Sequence, residues 1–169
     1  MKILSRLPIA SEHSLSDVHR RPVNLRPNQI IIKVSVLPDE DWDPRAPILP
    51  AILDTGNNLN FSTQATHLIR WAGTHPQSLR ACGRVREGAR SPLLHAATVW
   101  IHRNVPGRGD LRNEPPFRLQ LPEGIAIYPT DESDYPRLPL LGLRAILKKN
   151  LKLTIDGRRK HASLRTPLW

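Results

Sequence analysis

Apolar residues along this chain come in short bursts, separated by proline, glycine and charged stretches, which is the spacing of strands and not of long helices. Gln29 to Leu37 (QIIIKVSVL) is β-branched and partly alternating, the strongest strand signal present. Ile48 to Leu53 is a short apolar run that ends at Asp54 and reads as a buried strand delivering its last residue to a turn. Leu59 to Trp71 reads as a strand followed by a helical turn. Leu79 to Val85 and Leu93 to Arg103 read as two strands, with Arg86-Glu87-Gly88-Ala89 as a hairpin tip. Val105 to Pro116 is a loop by its glycine and proline content. Phe117 to Leu121 and Ile125 to Tyr128 are short strands on either side of Pro122-Glu123-Gly124, and Thr130 to Asp134 is an acidic turn. Leu143 to Asn150 has good helix formers with cations near its end, as suits a helix C-terminus. Leu151 to Ile155 and Lys160 to Leu164 flank Asp156-Gly157, a hairpin turn signal. Residues 1–27 mix polar, basic and turn-forming types and are expected to be an arm or irregular lead-in to a domain over residues 28–169.

Composition supports this all-β picture. Seventeen prolines are spread over 169 residues, and each interior proline removes a helix hydrogen bond and clashes with the preceding turn. With a single cysteine, Cys82, no intramolecular disulfide can form. No run of about 18 apolar residues is present to form a membrane-spanning helix. Met1 to Ala10 is too short and too broken by proline for a secretory core, so a cytoplasmic location is expected. The formal net charge of +10 would attract nucleic acid or acidic protein, but the basic residues are scattered and not gathered on one helix with interleaved aromatics. Nucleic acid is therefore the lesser expectation.

Candidate chemistry concentrates at Ile52-Leu53-Asp54-Thr55-Gly56, where a carboxylate emerges from the end of an apolar strand into a tight turn. Glycine there permits close backbone approach and lets its N–H point at the carboxylate. The threonine hydroxyl can lock the loop through a neighbouring backbone group. Asp-Thr-Gly alone is a common turn sequence. Its weight comes from context: the apolar run before it, and Leu140-Leu141-Gly142 about 85 residues later, directly before the short helix.

With these residues in this order the chain resembles the retropepsin-like aspartic proteases. That family carries apolar-apolar-Asp-Thr/Ser-Gly, then a flap hairpin, then apolar-apolar-Gly before a helix, then a last strand. The matching segments here are residues 52–56, 79–103, 140–147 and 151–155, and the likeness covers roughly residues 28–165. It implies an acid-protease β-barrel with a flap hairpin and one short C-terminal helix. Only one Asp-Thr-Gly is present, so the second carboxylate of the catalytic pair is expected from another copy in a twofold homodimer. The resemblance implies that Asp54 is catalytic, that Thr55 braces the two loops across the dimer, and that Gly56 helps bind an extended peptide or protein substrate. Asn57 and Asn58 stand where many members carry Ala or Ser, and are expected near the substrate. Arg86, Glu87 and Gly88 are expected to close over it. Leu140, Leu141 and Gly142 are expected to support the catalytic loop. Neither a cofactor nor a metal is implied. Leu143 intervenes before Arg144, which leaves the family's usual helix-to-loop salt bridge unassigned.

Other constellations are weaker. Cys82 with His95 or His102 could form a nucleophile and base, but a small apolar strand residue is the plainer reading of Cys82. His67, His75, His95 and His102 have spacings of 8, 20 and 7, which match no compact zinc-ligand pair. Two further functions share the same fold class: a catalytically weak or inactive dimerisation or peptide-binding module, and a basic nucleic-acid-binding β-barrel.

Overall fold

The computed structural model describes residues 1–11, 15–18, 21–38, 41–129 and 136–167. The acidic turn expected at Thr130 to Asp134 lies outside the described residues. Strands run in chain order as β1 (Lys2–Pro8), β2 (Leu15–Val18), β3 (Arg21–Asn24), β4 (Ile31–Leu37), β5 (Leu49–Asp54), β6 (Phe61–Gln64) and β7 (Ala81–Arg84). They continue as β8 (Leu93–His95), β9 (Thr98–Ile101), β10 (Phe117–Leu119), β11 (Ile125–Tyr128), β12 (Leu140–Gly142), β13 (Lys152–Asp156) and β14 (His161–Arg165). One α-helical turn, α1 (Ala65–His67), passes into a π-helical turn at Leu68–Ala72, and α2 (Leu143–Lys148) is the short helix near the end. The chain is mostly β, as its proline-punctuated apolar bursts require.

Nine strands form one sheet in the order β10-β9-β4-β5-β12-β6-β11-β8-β7. A second sheet has the order β1-β14-β13, and β2 pairs with β3 as a separate ribbon. Among the described residues the edge strands β10 and β7 do not pair with each other, so the large sheet stays open and the expected closed barrel is not formed. β4 pairs with β5 on one side and with β9 on the other. Its alternation buries Ile32, Val34 and Val36 at the centre of the main apolar core. Ser35 is buried too; its hydroxyl donates to the Pro47 carbonyl at 2.8 Å and bonds His102 Nε2 at 2.9 Å, which satisfies the polar group.

Two local expectations are revised. The lead-in is not irregular over Lys2–Pro8, where β1 pairs with β14 and drives Ile3, Leu4 and Leu7 into the core. Its register shifts twice, and Arg6 adopts a φ of +46°. These irregularities break the period-two pattern by which a strand is read. The apolar run from Leu93 to Arg103 splits at Ala96–Ala97, so β8 joins β7 and β11 while β9 joins β4 and β10. The hairpin expected at Asp156-Gly157 does form, between β13 and β14. Asp156 pairs with His161, Lys160 takes a φ of +50°, and Asp156 Oδ1 accepts the Arg159 N–H at 3.0 Å.

Candidate active site

β5 ends at Asp54 because its apolar residues must be buried and its last residue need not be. Leu49, Ala51 and Leu53 are all buried, while Asp54 is half-buried and Thr55 and Gly56 are exposed. β12 lies beside β5 in parallel register, with Leu140 opposite Ile52, Leu141 opposite Leu53 and Gly142 opposite Asp54. On its other side β12 runs antiparallel to β6. It therefore threads between the two strands that the 55–60 loop connects. The segments 52–56 and 140–142, separated widely in sequence, meet at the carboxylate.

Gly142 is required at this crossing. Its N–H donates to the Asn60 carbonyl at 3.0 Å, and the next N–H, of Leu143, donates to the Asn57 carbonyl at 3.1 Å. A Cβ on Gly142 would lie 2.6 Å from the Asn57 carbonyl oxygen and closer still to that of Leu59. Across the turn, Gly56 N–H donates to Asp54 Oδ1 at 2.9 Å, the contact expected of a glycine after Asp-Thr. That donor fixes one carboxylate oxygen.

Asn57 and Asn58 separate in role. Asn57 is buried; its Nδ2 donates to Ser62 Oγ at 3.0 Å, and its Oδ1 accepts the Leu59 N–H at 3.0 Å. Its amide braces the loop, whereas Asn58 is exposed. Arg86, Glu87 and Gly88 do form a hairpin tip. Glu87 and Arg90 exchange backbone hydrogen bonds at 2.9 Å, and Gly88, first residue of the two-residue loop, has a φ of +59°. These three residues do not line the cavity at Asp54. Instead the Tyr128 hydroxyl donates to the Glu87 carboxylate, which ties the tip to β11.

That cavity measures about 960 Å³ and opens beside Asp54 and Thr55. The π-helical turn and α1 supply Thr66, His67, Arg70 and Trp71, and the approach to β12 supplies Arg137 and Leu138. His67 and Trp71 stack with ring centroids 4.5 Å apart and planes within 7°. His67 Nδ1 accepts the Gln64 N–H at 3.3 Å, which places the ring proton on Nε2. Burial lowers its pKa to about 4, against an opposing hydrogen bond with the Arg137 backbone. None of these residues carries a family-type motif. Their available signal was the spacing of His67, Arg70 and Trp71, which share one face of a helical segment.

On the far side of the 55–60 loop, Glu123 is held by α2. Arg144 bonds it at 2.8 Å and Lys148 also reaches it. A helix-to-loop ion pair thus forms although Leu143 precedes Arg144. The weaker constellations do not assemble. Cys82 is exposed on β7, His95 Nδ1 bonds the Leu79 carbonyl at 3.2 Å, and His102 is engaged with Ser35. Among the described residues no group of three or more His, Cys, Asp or Glu side chains is placed to hold a metal ion. No helix of the described residues is long and apolar enough to cross a membrane. No protein-family model matches the chain, and no curated protein and no solved structure matches it significantly.

Proposed function

We propose that this chain is the protomer of a retropepsin-like aspartic endopeptidase, with Asp54 as its catalytic carboxylate. One observation carries the proposal: Gly142 stands in register opposite Asp54 while the Gly56 N–H donates to Asp54 Oδ1 beside an open cavity. An isolated Asp-Thr-Gly turn needs neither the second strand nor the cavity.

One chain offers one such carboxylate, so the working enzyme is a homodimer with both Asp54 side chains at its axis. Two carboxylates about 3 Å apart cannot both ionise easily, and they share one proton. The ionised partner draws a proton from a water held between them, and the protonated partner polarises the scissile carbonyl. Water attacks the carbonyl carbon, and the amine leaves with a proton returned by the pair. Thr55 braces the paired loops and Gly56 lies along the peptide backbone. The Arg86–Ala89 tip is the cover over the peptide, and closing it requires Glu87 to leave Tyr128.

The test is cleavage of a mixed peptide library from pH 3 to 8 by purified protein and by Asp54→Asn. The wild type is expected to cut with an acid-leaning profile and the variant not to cut, with fold and dimer intact. Equal cutting by both would rule out Asp54 as the catalytic group. A second function, a peptide-binding module without hydrolysis, is favoured by the docking of Glu87 on Tyr128, which holds the tip away from the cavity. It predicts peptide binding by both proteins and cleavage by neither.

A further inference from the structure

The cavity beside Asp54 has an unusual charge balance. Among the described residues that line it, Asp54 is the one carboxylate, while Arg26, Arg70 and Arg137 contribute three guanidinium groups. They come from three separate parts of the chain: the segment before β4, the π-helical turn after α1, and the approach to β12. All three residues are exposed, and among the described residues none is held by a carboxylate. Elsewhere among the described residues, Asp43, Asp110, Glu114, Glu123 and Asp156 each already have an arginine or lysine partner. Arginine presents a planar fork of donors that matches a carboxylate in two parallel hydrogen bonds. Trp71, Leu138 and Ile155 add apolar wall between these groups, which suits a peptide side chain and its methylenes better than a bare anion.

We propose that this cavity selects peptides carrying aspartate or glutamate within a few residues of the bond at Asp54, with Arg70 and Arg137 as the specificity-determining pair and Arg26 at the rim. Cleavage of such peptides rests on the protease function proposed above; their binding does not. A phosphate backbone is a poorer fit. It brings a charge at every residue past a cavity whose described lining holds three arginines and an acid.

Two measurements decide the matter and separate it from the question of catalysis. Fluorescein-labelled decapeptides, one rich in glutamate and its glutamine counterpart, are titrated against Asp54→Asn protein at near-physiological salt, with oligo-dT as competitor. The glutamate peptide is expected to bind about tenfold or more tightly than its counterpart, as charge-assisted pairs give. Arg70→Glu/Arg137→Glu in the same background is expected to erase that ratio. The control Lys2→Glu/Arg158→Glu, which changes charge equally outside the cavity, is expected to keep it. In parallel, library cleavage sites of the Asp54-intact protein are read by mass spectrometry and should be enriched in Asp or Glu near the cut. Absence of any cleavage removes the protease function and leaves the binding arm to decide. Equal binding of both peptides, a ratio untouched by the double arginine reversal, a control that erases it as fully, or oligo-dT bound more tightly through the same arginines would overturn the proposal.

Discussion

Replacing Gly142 by alanine tests the threading of β12 more sharply than any change at Asp54. The new methyl would stand 2.6 Å from the Asn57 carbonyl oxygen and nearer to that of Leu59. Both obstacles are backbone, so no side-chain rotation relieves them; the 57–59 segment has to withdraw. Withdrawal breaks the hydrogen bonds from Gly142 N–H to Asn60 and from Leu143 N–H to Asn57, worth about 1 kcal/mol each in net terms. Forcing a methyl into a filled site adds roughly 1–3 kcal/mol. Together these come to about 3–5 kcal/mol, a large part of the ~5–15 kcal/mol that typically holds a domain. For a chain of this size each kcal/mol lowers Tm by about 2–4 °C, so thermal unfolding of Gly142→Ala is expected about 6–20 °C below wild type. Amide exchange is expected to accelerate first at Gly142 and Leu143. Gly56→Ala is the matched control. Its Cβ would meet only Asp54 Oδ1, at 3.3 Å, so its melt should stay within about 2 °C of wild type while cleavage falls. A Gly142→Ala melt as high as that of the control, with exchange unchanged, would mean that β12 does not pass between those carbonyls.

Further expectations follow from single residues. His67 has its pKa lowered to about 4 by burial, so the unfolded chain binds its proton first. The stability this group contributes is complete above about pH 6.5 and is lost as pH falls toward 4, by up to about 3 kcal/mol. Urea midpoints of wild type should drop across that window, and those of His67→Gln should drop less. Glu123 has its pKa lowered, chiefly by the Lys148 hydrogen bond and then by Arg144. Its contribution is present above the ordinary carboxylate range and disappears as pH falls through its lowered value. The group is well exposed to solvent, so Glu123→Gln should cost no more than about 1 kcal/mol, and added salt should shrink the difference. An equal loss at high and low salt would point to packing, not charge.

Much of this architecture could be read along the chain, and the failures have specific causes. β4, β5, β6, β11 and α2 were legible because each keeps a regular apolar period or ends at a proline, glycine or charge. The meeting of residues 52–56 with 140–142 was expected from the order of motifs, and the register of Gly142 with Asp54 bears it out. β1 was illegible because a positive φ at Arg6 and two register shifts scramble its alternation. Asn57 was expected near the substrate from its place in the resemblance, directly after Gly56. Only coordinates reveal that its amide is spent inside the loop. The Arg26, Arg70 and Arg137 wall could not be foreseen at all, since scattered cations acquire a common location only through the path of the sheet.

The route of β12 also fixes when the carboxylate loop can take shape during synthesis. Residues 49–64 leave the ribosome long before residues 140–142 exist, so β5 and β6 wait as neighbours with a vacant slot between them. Closing that slot is a long-range event, slow because distant contacts must form against loop entropy. Until then the Asn57 and Asn60 carbonyls lack their donors, and the turn that holds Asp54 has only its own local hydrogen bonds. A nascent chain accordingly lacks the long-range clamp on its acid until nearly all of its large sheet has been made.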